Sequence, residues 1–105
     1  MQVIWSPDAE EELENIVVYC LITFGKRMAL KVYREMKHFD KLLAQNPYMG
    51  KYEVLLEKYP QKFRSFVEHE HYKLIYYVNE QKNVIEIVDI WDTRRDPDSL
   101  INRIK

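Results

Sequence analysis

Cationic side chains recur in the last third of the sequence, within and just after three short apolar runs. They are Arg64, Lys73, Arg94 and Arg95. Several cations on one surface could hold a phosphate and stabilise the charge that grows on it during phosphoryl transfer. The ordinary alternative is that they form ion pairs with the carboxylates of Glu68, Glu86, Asp89 or Asp92. Residue type alone leaves both interpretations open.

Tyrosines and histidines are the other candidates for chemistry in the same stretch. Tyr72, Tyr76 and Tyr77 share one apolar run, where a tyrosine could stack on an unpaired base or take part in proton transfer. The commoner role of such a tyrosine is half-buried packing. His69 and His71 could begin a metal site, but the sequence suggests no third ligand near them. We therefore expect no metal and no other cofactor.

The elements that must position these residues are β-strands. Residues 62–67, 71–78 and 83–91 are rich in Phe, Tyr, Val and Ile and are separated by polar breaks, a pattern that predicts a three-strand antiparallel meander. The last strand is apolar on both faces, which predicts a central, covered position. Strict alternation places Ile85 and Ile87 on one face of it, and Val84, Val88 and Ile90 on the other.

The first half of the chain predicts one short strand and a helical hairpin. Val3-Ile4-Trp5 forms the strand, Ser6 caps the first helix with Pro7 at its first position, and Gly25 ends it. A second helix follows over about residues 26–45, with an apolar stripe that includes Val32 and Met36. Its opposite side carries a cationic stripe that could meet an acidic partner or nucleic acid, but is more often a solvated face; it consists of Arg27, Lys31, Arg34, His38 and Lys41.

These elements together predict an α+β fold in which both helices pack on one face of a four-stranded sheet. Residues 46–61 form an ordered connector, and a short C-terminal helix begins at Pro97. The length of 105 residues favours a single domain, residues 1–105.

The formal net charge of −1 counts mildly against a free-standing nucleic-acid binder. The N-terminus lacks the pattern of a signal peptide and no apolar run is long enough to span a membrane, so we expect a cytoplasmic protein.

Five segments carry a resemblance to a known family. They are Val3–Ala9 with Leu13, the turn Phe24–Ala29, the strands containing Phe63–Phe66 and His71–Tyr76, and the ending Ile90–Pro97. In order and spacing the chain resembles the RelE/ParE superfamily of toxins from type II toxin–antitoxin systems, a group that includes plasmid stabilisation proteins. The resemblance spans almost the whole chain.

This resemblance implies a toxin that a cognate antitoxin protein neutralises, as a toxin–antitoxin hetero-oligomer in the cytoplasm of a bacterium or archaeon. RelE-like members are ribosome-dependent mRNA endoribonucleases that need no metal. ParE-like members inhibit DNA gyrase instead, and fold alone does not choose between the two. A third hypothesis is a catalytically inactive module that only holds an antitoxin.

Residue by residue, the resemblance assigns a phosphate-holding role to Arg64, Lys73 and Arg94 if the chain is a nuclease. Tyr76 or Arg95 would assist them, and Tyr72 would contact the substrate. Asp92 stands where many members have a histidine; its carboxylate could accept a proton, but it is ionised at neutral pH and is therefore a poor proton donor.

Overall fold

The computed structural model of the protein describes residues 1–68 and 71–94. In chain order the elements are β1 (Gln2–Trp5), α1 (Pro7–Phe24), α2 (Lys26–Gln45), β2 (Lys51–Tyr52), a 3₁₀ helix (Val54–Leu56), β3 (Arg64–Glu68), β4 (Tyr72–Asn79) and β5 (Val84–Asp92). The α+β fold class is confirmed, as are the helical hairpin and the three-strand meander. The helix predicted from Pro97, and with it Arg95, lies outside the described residues.

The sheet has five strands in the order β1-β5-β4-β3-β2, one strand more than the sequence predicts. The additional strand, β2, is two residues of the predicted connector, which pair antiparallel with the start of β3. A strand this short has no alternation that a sequence pattern could reveal. At the other edge β1 pairs with β5 in parallel, while β3, β4 and β5 pair antiparallel.

Local signals at the two helix ends explain the hairpin. The Ser6 hydroxyl accepts a hydrogen bond from the backbone N–H of Ala9 at 3.1 Å and donates one to the carbonyl of Val88 at 3.0 Å, so the residue that begins α1 also fixes it to β5. Gly25 has a φ of 94°, a conformation that side chains rarely tolerate, and separates α1 from α2. The Trp5 indole donates to Asp40 at 2.7 Å and ties β1 to α2.

Both faces of the sheet are covered. The helices cover one face, and we call the residues buried between them the helix-side core; its members include Leu13, Cys20, Met36, Leu43, Leu74, Tyr76, Ile85, Ile87 and Ile90. The connector covers part of the other face over a smaller group, the far-side cluster, which consists of Leu56, Phe63, Ile75 and Trp91. The predicted central position of the last strand follows from this arrangement, since β5 contributes to both groups.

Strict alternation along β5 is wrong at one point. Ile75 pairs with Asp89 but its neighbour Tyr76 pairs with Ile87, so Val88 is an extra residue on β5. Such a bulge shifts the following side chains to the opposite face. Ile90 therefore lies in the helix-side core with Ile85 and Ile87, not on the face of Val88 as alternation predicted.

Candidate functional site

Arg64 begins β3 and lies directly opposite Tyr76, on the helix side of the sheet. One nitrogen of its guanidinium, Nη1, donates to the carbonyl oxygens of Gly50 at 2.8 Å and Tyr48 at 3.3 Å. The same guanidinium lies 4.2 Å from the ring centroid of Tyr52 and 5.1 Å from that of Tyr48. Arg64 thus binds the connector to the sheet through hydrogen bonds and cation–π contacts.

Lys73 lies on the opposite face of the sheet, since it precedes Ile75 of the far-side cluster by two residues on β4. Its ammonium group donates to Oε2 of Glu53 at 3.0 Å. The hydroxyl of Ser65 donates to the same oxygen at 2.7 Å, and the backbone N–H of Leu55 donates to Oε1 at 3.3 Å. A carboxylate thus neutralises this cation.

Glu53 is only 7% exposed and remains charged because its partners outweigh its burial. Burial raises the pKa of this carboxyl, whereas the hydrogen bonds from Ser65 and Lys73 lower it, and the net pKa lies below its ordinary value. The pairing matches the ion-pair interpretation of Lys73, although the partner is none of the carboxylates that the sequence suggested.

Tyr76 is completely buried, and its hydroxyl oxygen accepts the backbone N–H of Gly50 at 2.8 Å. Burial raises the pKa of this phenol. Tyr77, on the other face, donates to Oε2 of Glu86 at 2.5 Å, and this bond raises its pKa to about 12. Both hydroxyls are therefore protonated at neutral pH and engaged in contacts within the protein.

Arg94 and Tyr72 lie together at the far end of β4 and β5. The Arg94 guanidinium forms two bonds with the Asp92 carboxylate, Nε to Oδ1 at 3.0 Å and Nη2 to Oδ2 at 2.8 Å. Tyr72 pairs with Asp92 across the sheet and is partly buried, and burial raises its pKa. With Tyr19 of α1 these residues line a groove of about 330 Å³. Here too the predicted cation is paired with a carboxylate, Asp92.

The predicted site residues therefore lie in three separate places. Arg64 and Tyr76 meet at Gly50. Tyr72 and Arg94 share a groove at the start of β4, four residues before Tyr76 and roughly 13 Å from it at about 3.3 Å per residue. Lys73 lies on the other face of the sheet. Their assignment to catalysis stays a prediction, as does that of Arg95.

Four residues of the connector contact the predicted site residues, although the sequence did not assign them to the site; Tyr48 and Tyr52 were expected only to anchor the connector. Glu53 neutralises Lys73, Gly50 packs on Tyr76, and Tyr48 and Tyr52 flank Arg64. The apolar residues of the connector correctly indicated order, but no repeating pattern shows which strand such a segment crosses. Within residues 1–68 and 71–94, neither helix is long and apolar enough to cross a membrane.

Comparison with known proteins places the chain in a family. The family described as "ParE toxin of type II toxin-antitoxin system, parDE" matches residues 3–97, which is most of the sequence. The chain belongs to the ParE toxin family. It is thus the toxin component of a type II toxin–antitoxin system, and membership of this family implies an antitoxin partner for it. A search of curated proteins finds no match.

Two solved structures resemble this ParE-family toxin over nearly its whole length. One belongs to the chromosomal ParDE TA system from P. aeruginosa, with a TM-score of 0.71 and 21% identity, over 88% of this chain and 95% of that one. The other is the isolated E. coli RelE toxin, with a TM-score of 0.55 and 13% identity, over 99% of this chain and 98% of that one. At these identities the likeness establishes the fold alone.

Proposed function

We propose that this ParE-family toxin acts in the cytoplasm by inhibiting DNA gyrase through protein contacts, rather than by cutting mRNA on the ribosome. The observation that carries the proposal is the separation of Arg64, Lys73 and Arg94. A nuclease of this type must direct its cations at one phosphate, because catalysis by positioned charge depends on convergence at the reacting group. Here Lys73 and Arg94 are each bound by a carboxylate, and Lys73 and Arg64 lie on opposite faces.

The experiment compares two activities of purified, antitoxin-free protein. We expect it to inhibit supercoiling by gyrase and to leave mRNA intact in a cell-free translation reaction whose mRNA 5′ ends are mapped. Cuts that appear only while ribosomes translate, together with normal supercoiling, would refute the proposal and favour the RelE-like reading. Intact mRNA with normal supercoiling would instead support a module that only holds an antitoxin.

Lys73→Gln sharpens this test, because glutamine can still donate a hydrogen bond to Glu53. If the protein is a gyrase inhibitor, we expect the variant to stay toxic in cells that lack the antitoxin. If Lys73 stabilises a transition state, toxicity should fall along with RNA cutting, since removal of one such contact costs roughly 3 kcal/mol, or about 100-fold in rate. The measurement is the growth of cells that express each variant from an inducible promoter.

We further propose that the antitoxin docks on the helical hairpin. Eight large apolar side chains are exposed in the second half of α1 and the first half of α2; this hairpin patch consists of Val18, Tyr19, Leu21, Ile22, Phe24, Met28, Leu30 and Tyr33. Val18 and Tyr33 line one groove between the helices, whose α1 side also carries Glu10, Glu11 and Glu14, so the cations that would meet an acidic segment lie outside this groove. Such exposed apolar area is typical of protein interaction sites.

The charged residues around the hairpin patch indicate the kind of segment that would cover it. Residues 15–34 contain four cations, Lys26, Arg27, Lys31 and Arg34, and no aspartate or glutamate. An amphipathic antitoxin segment with acidic residues beside an apolar stripe would match both features.

A further inference from the structure

An open cleft lies where the connector passes the start of β3 and the end of β4. It has a volume of about 690 Å³, within the range of roughly 300–1,000 Å³ that is typical of small-ligand sites. We call it the tyrosine–arginine cleft; the residues that matter for its chemistry are Tyr48, Tyr52, Lys62, Arg64 and Glu80. The hairpin patch proposed for the antitoxin includes none of these side chains.

Arg64 has hydrogen-bonding capacity left for a ligand. A guanidinium carries five N–H donors, and Nη1 is engaged with the two connector carbonyls. Within residues 1–68 and 71–94 its Nε and Nη2 have no hydrogen-bond partner. The contacts with the carbonyls and with the tyrosine rings hold the guanidinium in place, so this remaining edge is positioned in advance. A planar edge of this kind suits the oxygens of a phosphate.

The two tyrosines supply flat surfaces beside that edge. Tyr48 is 49% exposed and Tyr52 is 60% exposed, although both rings contact Arg64. The part of each ring that faces solvent can accept a stacked base, because every base has a π-face. Neither tyrosine lies in the hydrophobic core; their contacts with Arg64 hold both rings in place beside the guanidinium.

The charges in the cleft are compatible with a phosphate. Lys62 and Arg64 are cationic, and Glu80 is the one carboxylate among the lining residues described. The hydroxyl of Tyr48 donates to Glu80, so this carboxylate already has a donor to satisfy it. Cations beside aromatic rings form the combination that binds unpaired nucleotides in proteins that recognise single strands.

We propose that the tyrosine–arginine cleft binds single-stranded nucleic acid, with an unpaired base stacked on Tyr52 and the adjoining phosphate on the remaining edge of Arg64. A duplex has its bases paired and stacked internally, and therefore presents no base face to Tyr52. Binding at this cleft does not depend on the target of the toxin, so this proposal can be confirmed or refuted separately from gyrase inhibition.

The test is fluorescence anisotropy with labelled 12-nucleotide oligo(dT) and oligo(A) at low salt. We expect saturable binding that Tyr52→Ala weakens at least about fivefold, which corresponds to the ~1 kcal/mol lower bound for one stacked base. Arg64→Lys keeps the charge but removes the planar edge, and we expect a comparable loss. Thermal unfolding of each variant shows whether the fold survives, and Tyr52→Phe, which keeps the ring, should restore binding.

Tyr33→Ala is the matched control, because Tyr33 is a surface tyrosine of similar exposure, 45%, on the helical hairpin. It should bind oligonucleotides like the unmodified chain. Absence of binding, equal binding by folded Tyr52→Ala, or equal competition by a duplex of the same length would each overturn the proposal. Displacement by an acidic, tyrosine-containing peptide at lower concentration than any oligonucleotide would also overturn it and assign the cleft to a protein partner. The gyrase assay on the same variants reports separately on the proposed target.

Discussion

At the scale of residues, one carboxylate changes the interpretation of the strongest candidate cation. Glu53 lies 20 residues before Lys73 in sequence, yet its Oε2 accepts hydrogen bonds from both Lys73 and Ser65. The nearly buried Glu53 carboxylate and its two side-chain donors, Ser65 and Lys73, form a structural feature, because removing Glu53 or Lys73 leaves a charged group without its partner. We therefore regard Lys73 first as a residue that fixes the connector to the sheet.

Glu53→Gln should destabilise the protein by roughly 2 kcal/mol, since it leaves the largely buried Lys73 ammonium without a counter-charge. Urea denaturation followed by circular dichroism measures the change. Glu10→Gln is the matched control: Glu10 pairs with Lys37 at 2.9 Å, but its side chain is 50% exposed. That exposed pair should contribute less than about 1 kcal/mol. Equal losses of stability in the two variants would show that the Glu53 network stabilises the fold no more than an exposed ion pair does.

The lowered pKa of Glu53 also predicts how stability depends on pH. Because the pKa is lower in the folded protein than in the unfolded chain, the stabilisation is fully present above the unfolded value, about 4.3. It is then lost as pH falls towards the folded value. The difference in unfolding free energy between the unmodified protein and Glu53→Gln should thus be constant near neutrality and shrink below about pH 4.3. A difference that grows on acidification would contradict this assignment.

At the scale of elements, the connector depends on a close approach at Gly50. A Cβ atom there would lie 2.8 Å from the hydroxyl oxygen of Tyr76 and 3.0 Å from the carbonyl oxygen of Ser65. Tyr76 is fully buried and Ser65 belongs to a strand, so neither can move away easily. The absence of a side chain at Gly50 is what lets the connector bring Tyr48, Tyr52 and Glu53 to the sheet.

Gly50→Ala should therefore destabilise the protein by about 1–3 kcal/mol through overpacking. It should also weaken oligonucleotide binding, because it displaces the tyrosines next to Arg64. Met49→Ala, at an exposed neighbouring position, is the control and should change stability by less than about 0.5 kcal/mol. Differential scanning calorimetry of the two variants decides the point. If Gly50→Ala unfolds at the same temperature as Met49→Ala, the contact with Tyr76 and Ser65 does not exclude a side chain at position 50.

Most elements were predictable because their signals are local. The cap at Ser6, the stop at Gly25, the apolar stripes of both helices and the apolar runs of the meander each depend on neighbouring residues. The bulge at Val88 and the two-residue strand Lys51–Tyr52 were not predictable, since both depend on how strands pair across the sheet. The geometry of the candidate site was the least predictable feature, because it depends on contacts between residues far apart in the sequence. The sequence shows which cations exist, but whether they converge depends on strand register and on partners such as Glu53.

At the scale of the whole molecule, the two layers present different surfaces. The helical layer carries the hairpin patch and the four cations around it. The sheet and the connector form the tyrosine–arginine cleft beside β2 and β3. The two surfaces share no residue, so each can be changed separately. An antitoxin on the hairpin patch need not cover the cleft, which means that neutralisation and nucleic-acid binding are separable properties.

The double variant Ile22→Ser/Phe24→Ser tests that separation. These side chains are 80% and 63% exposed, so their replacement should leave the fold intact while it removes apolar area from the proposed antitoxin contact. We expect affinity for the cognate antitoxin, measured by isothermal titration calorimetry, to fall at least about tenfold, or ~1.4 kcal/mol. Oligonucleotide binding and toxicity without antitoxin should be unchanged.

Val54→Ser is the matched control, because Val54 is 69% exposed but belongs to the connector. Its antitoxin affinity should equal that of the unmodified toxin. If the control loses affinity and the double variant does not, the antitoxin docks on the connector side of the sheet. In that case, adding oligonucleotide shows whether the antitoxin contact overlaps the cleft, because mutually exclusive ligands lower each other's apparent affinity.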